Sequence, residues 1–195
     1  MTNKLLITGG LGYIGSFTAK KYLKKTKSKV LSIDNLSRGN NFSSKYCINK
    51  KLNISNKIIK KLLIKKKIDT VIHLASLTCV RESLKKPKKY SENYQDQIKF
   101  IKILKDTKVN NFIFSSSLSI FEESKYKSNL SPYSKYKLKL EKYLRKISSE
   151  SFKVIILRYP NVVGSDPLGV LGEKNSFISR ITVSYTHLRA HETEE

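Results

Sequence analysis

The sequence predicts an α/β protein built on a doubly wound parallel sheet in three layers. Short apolar runs alternate with longer helical patterns along the 195 residues, which is typical of parallel strands covered by helices on both faces. A cluster of glycines joins the first apolar run to an amphipathic helix, and this is the turn at which such sheets hold nucleotides.

The pattern of apolar residues predicts six strands and four long helices. The strands are expected near 4–8, 29–33, 45–48, 70–74, 112–116 and 154–158, and the helices near 13–25, 56–66, 87–106 and 132–148. Within the third helix, residues spaced by three and four predict a stripe that faces the core rather than a cofactor: Tyr90, Tyr94, Ile98, Ile101 and Leu104.

The glycine cluster has the spacing of a dinucleotide-binding loop. Gly9 and Gly10 let the chain turn sharply after the first strand. Gly12 lets the backbone approach a pyrophosphate, and Gly15 lets the helix pack closely on the sheet. The helix N-terminus then presents N–H groups and a partial positive charge to the phosphates. These features predict a Rossmann-type site.

An acidic residue ends the second predicted strand, nineteen positions after Gly15. A carboxylate there accepts hydrogen bonds from ribose hydroxyls and repels a 2′-phosphate, so Asp34 favours NAD over NADP. Two alternatives stay open. Asp34 and Asn35 could simply begin a turn, or Arg38 close behind could receive a phosphate and admit NADP.

The formal net charge of +24 by itself suggests a nucleic acid or an anionic membrane as partner. Only six of the 39 positive residues are arginine, however, and the remaining 33 lysines are spread over predicted helix faces. The densest run, 57–67, has the spacing of a solvated helix face. No apolar run is long enough to span a membrane. We therefore predict neither a nucleic-acid nor a membrane partner.

The cysteines and the start of the chain predict a cytoplasmic protein. Cys47 and Cys79 have no metal-type spacing, which fits a reducing compartment. The chain enters its first predicted strand by residue 5, so we expect no signal peptide.

A second chemical pattern opens the last predicted helix. Ser131 suits the N-cap and Pro132 the first turn. Tyr133 and Lys137 are then one turn apart on the same helix face. A neighbouring ammonium favours the phenolate, so we expect the pKa of Tyr133 to fall below about 10 and Tyr133 to act as a general base. Hydroxyls at 115–117 end the preceding strand, at the edge where open α/β sheets bind ligands.

Six motifs occur in the order found in the extended short-chain dehydrogenase/reductases. They are Thr-Gly-Gly-x-Gly-Tyr-Ile-Gly-Ser at 8–16, Asp34-Asn35-Leu36, Val-Ile-His-Leu-Ala at 71–75, Phe-Ile-Phe-Ser-Ser-Ser at 112–117, Ser-Pro-Tyr133-x-x-x-Lys137 and Leu-Arg-Tyr-Pro-Asn at 157–161. On these motifs, residues 4–181 resemble that family, and within it the sugar-nucleotide 4-epimerases. The resemblance implies NAD as cofactor, a nucleotide-sugar substrate and a homodimer.

The resemblance also implies roles for the matching residues. Tyr133 would take the proton of the sugar 4-hydroxyl, Ser117 would bridge that hydroxyl and the phenol, and Lys137 would hold the nicotinamide ribose. Asn161 would touch the sugar nucleotide together with Ser117 and Tyr133. His73 is expected to be a packed strand residue. The positions that would contact the cofactor, besides Tyr133 and Lys137, are Gly9, Gly10, Gly12, Tyr13, Ile14, Gly15, Asp34, Asn35, Asn53, Ile54, Leu74, Ala75, Ser76, Asn93 and Pro160.

Several positions depart from the family pattern. Asn53 stands where an aspartate is usual at the adenine, Thr78 where the 4-epimerases have lysine, and Pro160 where they have phenylalanine. Leu118 and Ser119 occupy the place of the Asp-Glu pair of dehydratases, which disfavours dehydration. The alternative functions are a related reductase or decarboxylase acting on a nucleotide-linked or small carbonyl substrate, and a non-catalytic nucleotide-binding module.

The last residues resemble a sequence of another origin. Residues 183–193 are similar to the in-frame translation of a widely used transposase sequencing adapter. We therefore expect 1–182 to be the NAD-binding domain, with a substrate-binding region that begins near 160 and is cut off, and 183–195 to be a non-native tail. On this view His187 and His191 form no metal site.

A tail that was never selected to pack against the domain should contribute little to its stability. We expect a chain ending at Thr182 to keep its free energy of unfolding within about 0.5 kcal/mol of that of the 195-residue chain. Urea denaturation of the two chains measures this difference. A large loss of stability on truncation would show that the tail is part of the fold.

Overall fold

The structure, a computed structural model, describes residues 4–39, 41–122, 130–166 and 171–172. The chain forms two compact units, Met1–Pro160 and Asn161–Glu195. In the described part of the second unit, Ser165 pairs with Gly172, and the Asp166 N–H donates to the Leu171 carbonyl at 2.8 Å. The predicted tail at 183–195 lies outside the described residues.

One parallel sheet of six strands organises the first unit. The strands are β1 (Leu5–Thr8), β2 (Val30–Asp34), β3 (Cys47–Lys51), β4 (Thr70–His73), β5 (Asn111–Ser117) and β6 (Lys153–Tyr159). They lie in the order β3-β2-β1-β4-β5-β6, and every neighbouring pair is parallel. This is the doubly wound Rossmann order, which reverses between β1 and β4. The predicted fold class and strands are confirmed.

The third strand is the one predicted with the wrong start. Residues Asn41–Tyr46 form a 3-10 turn, so β3 begins at Cys47 and not at 45. Cys47 is the first residue of this stretch to pair with β2, opposite Val30, and its side chain is buried. The turn uses up the residues that the apolar pattern had assigned to the strand.

The four predicted long helices are present as α1 (Tyr13–Thr26), α2 (Ile58–Lys65), α4 (Pro87–Lys105) and α6 (Pro132–Ile147). Two short helices were not predicted, α3 (Val80–Lys85) and α5 (Ser119–Glu122). One turn or slightly more of helix carries too few apolar residues to show a period of 3.6.

Side chains that alternate along the strands build a core on each face of the sheet. Leu6, Val71 and Phe112 pack against α2, α4 and α6, whereas Ile7 and Val30 face α1. The predicted stripe of α4 lies in the first of these cores, with Ile101 and Leu104 fully buried and Tyr94 and Ile98 partly buried. The three-layer arrangement is therefore confirmed.

A buried carboxylate ties α6 to β6. Glu141 is 1% exposed and accepts two hydrogen bonds from Arg158, from Nε at 3.0 Å and from Nη2 at 2.7 Å. Burial would raise the pKa of Glu141, but the hydrogen bond and the charge of Arg158 bring it below its ordinary value of 4.5. Because α6 also carries Tyr133 and Lys137, this pair fixes the helix that the candidate site depends on.

Replacing Glu141 should destabilise the chain in a pH-dependent way. We expect Glu141→Gln to lower the free energy of unfolding by about 3 kcal/mol at pH 7, because Arg158 loses its partner. The pKa of Glu141 is lowered in the folded state, so its contribution is complete above pH 4.5 and is lost as the pH falls through the native pKa. Denaturation curves at pH 7 and pH 3 should therefore differ less between wild type and variant at the lower pH.

The control for this experiment is Glu150→Gln, since Glu150 is exposed and should change stability by no more than about 0.5 kcal/mol. An equal loss in Glu141→Gln at both pH values would contradict the role assigned to the charge.

Candidate active site

The carboxyl ends of the strands bring most of the predicted site residues to one edge of the sheet. Because strand order reverses between β1 and β4, the loops that follow these two strands run in opposite directions and leave a crevice between them. The glycine loop follows β1, Asp34 ends β2, the strip 74–76 follows β4 and Ser117 ends β5.

Close backbone contacts explain two of the glycines in the loop. Gly9 has a φ of +71°, and a Cβ on it would lie 2.8 Å from the backbone nitrogen of Ala75. A Cβ on Gly15 would lie 2.0 Å from the Gly9 carbonyl oxygen. Helix α1 therefore packs on the glycine loop itself, and the loop packs on the residues that follow β4. Gly10 lies against Ser32 of β2.

The outer side of the loop fits a pyrophosphate. Helix α1 begins at Tyr13 with Gly12 as its N-cap, in extended conformation with φ −74° and ψ 176°. A Cβ on Gly12 would meet only the Gly9 carbonyl oxygen, at 3.3 Å, so the space in front of the loop is open. A glycine N-cap also has no side chain to cover the first-turn N–H groups, among them those of Tyr13 and Ile14.

Asp34 holds the loop as well as facing the crevice. It is 7% exposed, and its Oδ2 accepts from the Leu11 N–H at 3.0 Å while its Oδ1 accepts from the Leu36 N–H at 2.8 Å. The second bond is the turn that the sequence left open as an alternative. An ionised carboxylate can accept about four hydrogen bonds, so it can make both contacts and still accept from ribose hydroxyls.

The residues expected at the adenine are arranged differently from the prediction. Asn35 Nδ2 donates to Asn53 Oδ1 at 2.7 Å, so the amide oxygen that we expected to accept from adenine already has a donor. Asn35 Oδ1 accepts from the Ser37 N–H at 2.9 Å. The Ile54 side chain is buried in the core with α2 and α4, which leaves its backbone for any contact with a cofactor.

The strip after β4 is held from both sides. The Leu74 N–H donates to the Thr8 carbonyl at 3.1 Å. Asn93 Oδ1 accepts from the Leu77 N–H at 3.3 Å and from Gln97 Nε2 at 2.9 Å. The small cleft beside this strip is lined by Ser76, Asn93, Gln97, Tyr90, Tyr133 and Lys137, among others. Asn93 and the tyrosine–lysine pair thus meet, as the sequence predicted.

Tyr133 lies buried at the start of α6, next to Ser117. It is 8% exposed, and its ring packs edge-on against the ring of Tyr90 with 6.5 Å between centroids. Burial raises the pKa of Tyr133, and a hydrogen bond with the Ser117 hydroxyl acts in the opposite direction. The expected lowering of the tyrosine pKa is therefore wrong for the protein without a ligand, because loss of hydration outweighs the neighbouring groups.

Lys137 directs its ammonium away from the phenol. Its Nζ donates to the Ser115 carbonyl at 2.7 Å and lies 4.8 Å from the ring centroid of Phe114 and 5.9 Å from that of Tyr133. The residue is 3% exposed, and burial lowers its pKa to about 7, against the attraction of Glu141. The i, i+4 spacing correctly predicted a shared face but could not predict which acceptor the ammonium would choose.

His73 is a packed strand residue, as expected. It is 1% exposed, its Nδ1 lies 2.7 Å from the Thr8 hydroxyl, and its ring stacks on Phe100. Burial and the nearby charge of Lys137 lower its pKa to about 3, so the imidazole is neutral.

A charged cluster at the rim of the site was not predicted. The Glu82 carboxylate accepts from Arg38, from Lys89 Nζ at 2.8 Å and from the Tyr90 hydroxyl at 3.1 Å. The hydrogen bond from Lys89 is the largest of the effects that lower the pKa of Glu82 to about 2. Arg38 and Glu82 are 44 positions apart, so no local pattern in the sequence signals their pairing.

Two site predictions lie at the end of the first unit and beyond it. Pro160 directly follows β6 and closes the first unit, and Asn161 begins the second. Their contacts with cofactor and substrate stay predictions.

The part of the chain that the structure describes was also searched for metal sites and membrane spans. It contains no group of three or more His, Cys, Asp or Glu side chains able to hold a metal ion. None of its helices is both long and apolar enough to cross a membrane.

The chain matches the NAD dependent epimerase/dehydratase family over residues 5–192. It belongs to this family. Among curated proteins, the UDP-glucose 4-epimerase of Pasteurella multocida is 32% identical over 93% of this chain and 60% of its own length. UDP-glucose 4-epimerase 2 of Arabidopsis thaliana is 32% identical over 89% of this chain and 56% of its own length. The chain thus spans somewhat more than half of these two family members.

Solved structures show the same likeness. UDP-glucose 4-epimerase from Brucella ovis, in complex with NAD, superposes with a TM-score of 0.82 and 29% identity, over 92% of this chain and 59% of that one. The UDP-Glc/GlcNAc 4-epimerase of Campylobacter jejuni gives a TM-score of 0.74 and 32% identity, over 89% and 58% of the two chains.

Proposed function

We propose that this chain binds NAD and supplies the proton-transfer residues of a sugar-nucleotide 4-epimerase similar to UDP-glucose 4-epimerase. The observation that carries the proposal is the meeting of Ser117, Tyr133 and Lys137 at the same sheet edge as the glycine loop. Membership of the family and the likeness to 4-epimerases of known structure support it.

The cofactor would lie along the crevice between β1 and β4. The backbone at Gly12 and the first turn of α1 would hold the pyrophosphate, and Asp34 with Asn35 the adenosine ribose. The strip at 74–76 and Asn93 would line the path toward Tyr133. Bound NAD supplies a reversible acceptor for the hydrogen on the sugar C4.

Tyr133 would manage the proton of the reaction. Its phenol oxygen, as phenolate, takes the proton of the sugar 4-hydroxyl as that carbon is oxidised to a ketone, and it returns the proton after the 4-keto sugar has turned over. Ser117 donates a hydrogen bond to the oxygens between which the proton moves. The O–H and C–H bonds broken in the first half are remade in the second, so the sugar undergoes no net oxidation.

Removing the phenol hydroxyl should abolish turnover without displacing the cofactor. In the enzyme we expect Tyr133→Phe to lower epimerisation of a UDP-hexose by about 10²–10⁴-fold, the usual contribution of a general base. NAD affinity, measured by calorimetry, should be unchanged. Tyr143→Phe, on the same helix but packed against the core, is the matched control and should retain activity.

Turnover of Tyr133→Phe within about threefold of wild type would place the base elsewhere. A Tyr133→Phe variant that loses reduction or decarboxylation of a carbonyl substrate, in an enzyme that epimerises no UDP-hexose, would favour the alternative family activities.

The preference for NAD over NADP has two sources in the structure. The carboxylate of Asp34 would repel a 2′-phosphate. Arg38, the nearest cation that could receive that phosphate, pairs instead with Glu82, which Lys89 and Tyr90 hold in place. Glu82 thereby neutralises the one residue that favoured the alternative.

Calorimetric titration with both nucleotides should show tighter binding of NAD. We expect Arg38→Ala to keep this preference, and Glu82→Gln to weaken it by on the order of tenfold, because the guanidinium becomes available to a phosphate. Glu92→Gln, at an exposed position of α4, is the control. Tighter binding of NADP by the wild type, or loss of NADP binding in Arg38→Ala, would show that Arg38 sets the choice.

The setting of the enzyme is also part of the proposal. We infer a cytoplasmic homodimer, on the resemblance to the family. Both cysteines are free thiols, Cys47 buried and Cys79 exposed, which fits a reducing compartment.

A further inference from the structure

Four serine hydroxyls form a continuous hydrogen-bonded chain beside Tyr133. Ser131 Oγ donates to Ser134 Oγ at 3.1 Å, and Ser134 Oγ donates to Ser119 Oγ at 3.1 Å. Ser119 Oγ and Ser117 Oγ lie 3.0 Å apart. The chain runs from the N-cap of α6 across the first residue of α5 to the end of β5.

The direction of these hydrogen bonds determines what Ser117 can do. A hydroxyl has one proton to donate and two lone pairs with which to accept. Ser134 uses its proton on Ser119, so the proton of Ser119 is the one available for the contact with Ser117. Ser117 Oγ also accepts from the Ser119 N–H at 3.2 Å. Both acceptor positions of Ser117 are then filled, and its own proton is left to donate.

The upstream end of the chain is well shielded from water. Ser131 is 5% exposed and Ser134 is 1% exposed. The Ser134 N–H donates to Ser131 Oγ at 3.2 Å, in the N-cap of the helix. Because Ser131 is anchored as an acceptor from the backbone, its proton points onward to Ser134, and the same sense propagates toward Ser117.

We propose that Ser119 and Ser134 are positioning residues that fix the Ser117 hydroxyl as a hydrogen-bond donor toward the Tyr133 phenol oxygen. This inference rests on the proposed role of Tyr133 as the base. A hydroxyl that can only donate stabilises the phenolate over the phenol, whereas a hydroxyl free to rotate can serve either form. The hydrogen bond with Ser117 does act to lower the pKa of Tyr133.

Other groups that face Tyr133 act on both the native protein and the variants. On its own helix these are Lys137, 5.9 Å from the ring centroid, and beyond it Glu141, bound to Arg158. From α4 the ring of Tyr90 packs edge-on, and its hydroxyl bonds to Glu82 of α3. The contacts of these groups do not involve the serine chain, so a substitution within the chain leaves them in place.

The test measures ionisation of Tyr133 in the chain without cofactor. Tyrosine is labelled with ¹³C at Cζ, and the signal of Tyr133 is assigned by its loss in Tyr133→Phe. Ser134→Ala breaks the chain in its middle while keeping the N-cap, since the backbone N–H of residue 134 still reaches Ser131. We expect the ratio of phenolate to phenol at a given pH to fall on the order of tenfold in this variant, and likewise in Ser119→Ala.

Two further variants separate positioning from packing. Ser119→Thr keeps the hydroxyl at a half-buried position and should restore the phenolate to near its wild-type fraction. Ser43→Ala removes a buried serine in the turn before β3 and should leave the ionisation of Tyr133 unchanged. If Ser119→Ala does not fold, Ser134→Ala and Ser119→Thr decide the question.

An unchanged phenolate fraction in Ser134→Ala would overturn the proposal. So would equal losses in Ser134→Ala and Ser43→Ala, or a failure of Ser119→Thr to restore the fraction. In the active enzyme, Ser134→Ala should move the acid limb of the pH profile of kcat to higher pH, whereas a general packing defect would lower kcat at all pH values. Since the titration needs neither NAD nor turnover, it can fail independently of the proposed function.

Discussion

The contact between Gly9 and the backbone that follows β4 is the constraint on which the rest of the site depends. No side chain fits between Gly9 and Ala75, and none fits between Gly15 and the Gly9 carbonyl. These two contacts set the distance between the ends of β1 and β4 and bring the N-terminus of α1 to the crevice. Asp34 adds a third anchor through the Leu11 N–H. The rigid loop that results presents backbone N–H groups before any ligand arrives.

Burial determines the chemistry on the other side of the crevice. It raises the pKa of Tyr133 and lowers that of Lys137, so it favours the neutral form of both. A tyrosine in that position becomes a useful base only if something stabilises its phenolate. Ser117 is the described neighbour that does so, and the serine chain behind it is built from the same N-cap that starts α6. The start of the helix and the state of its tyrosine are therefore linked.

The fold and the outline of the site could be predicted because they depend on short-range patterns. The glycine spacing, the acid after β2 and the one-turn separation of Tyr133 and Lys137 are all local. The acceptor chosen by Lys137 and the pairing of Arg38 with Glu82 were missed, because they join residues that are 22 and 44 positions apart. The bond between Ser134 and Ser119 spans 15 positions and needs the unpredicted helix α5. Packing, not periodicity, decides such contacts.

Amide hydrogen–deuterium exchange of this chain with and without NAD tests the central claim most directly, namely that the carboxyl edge of the sheet between β1 and β4 holds the cofactor. The account predicts slower exchange on NAD addition at 9–15, at 34–36 and at 74–77, where backbone N–H groups line the crevice. It would be contradicted if these segments exchanged as before. It would be contradicted equally by protection confined to the basic cleft at the other edge of the sheet, which is lined by Lys4, Lys29, Lys50 and Lys66, among others.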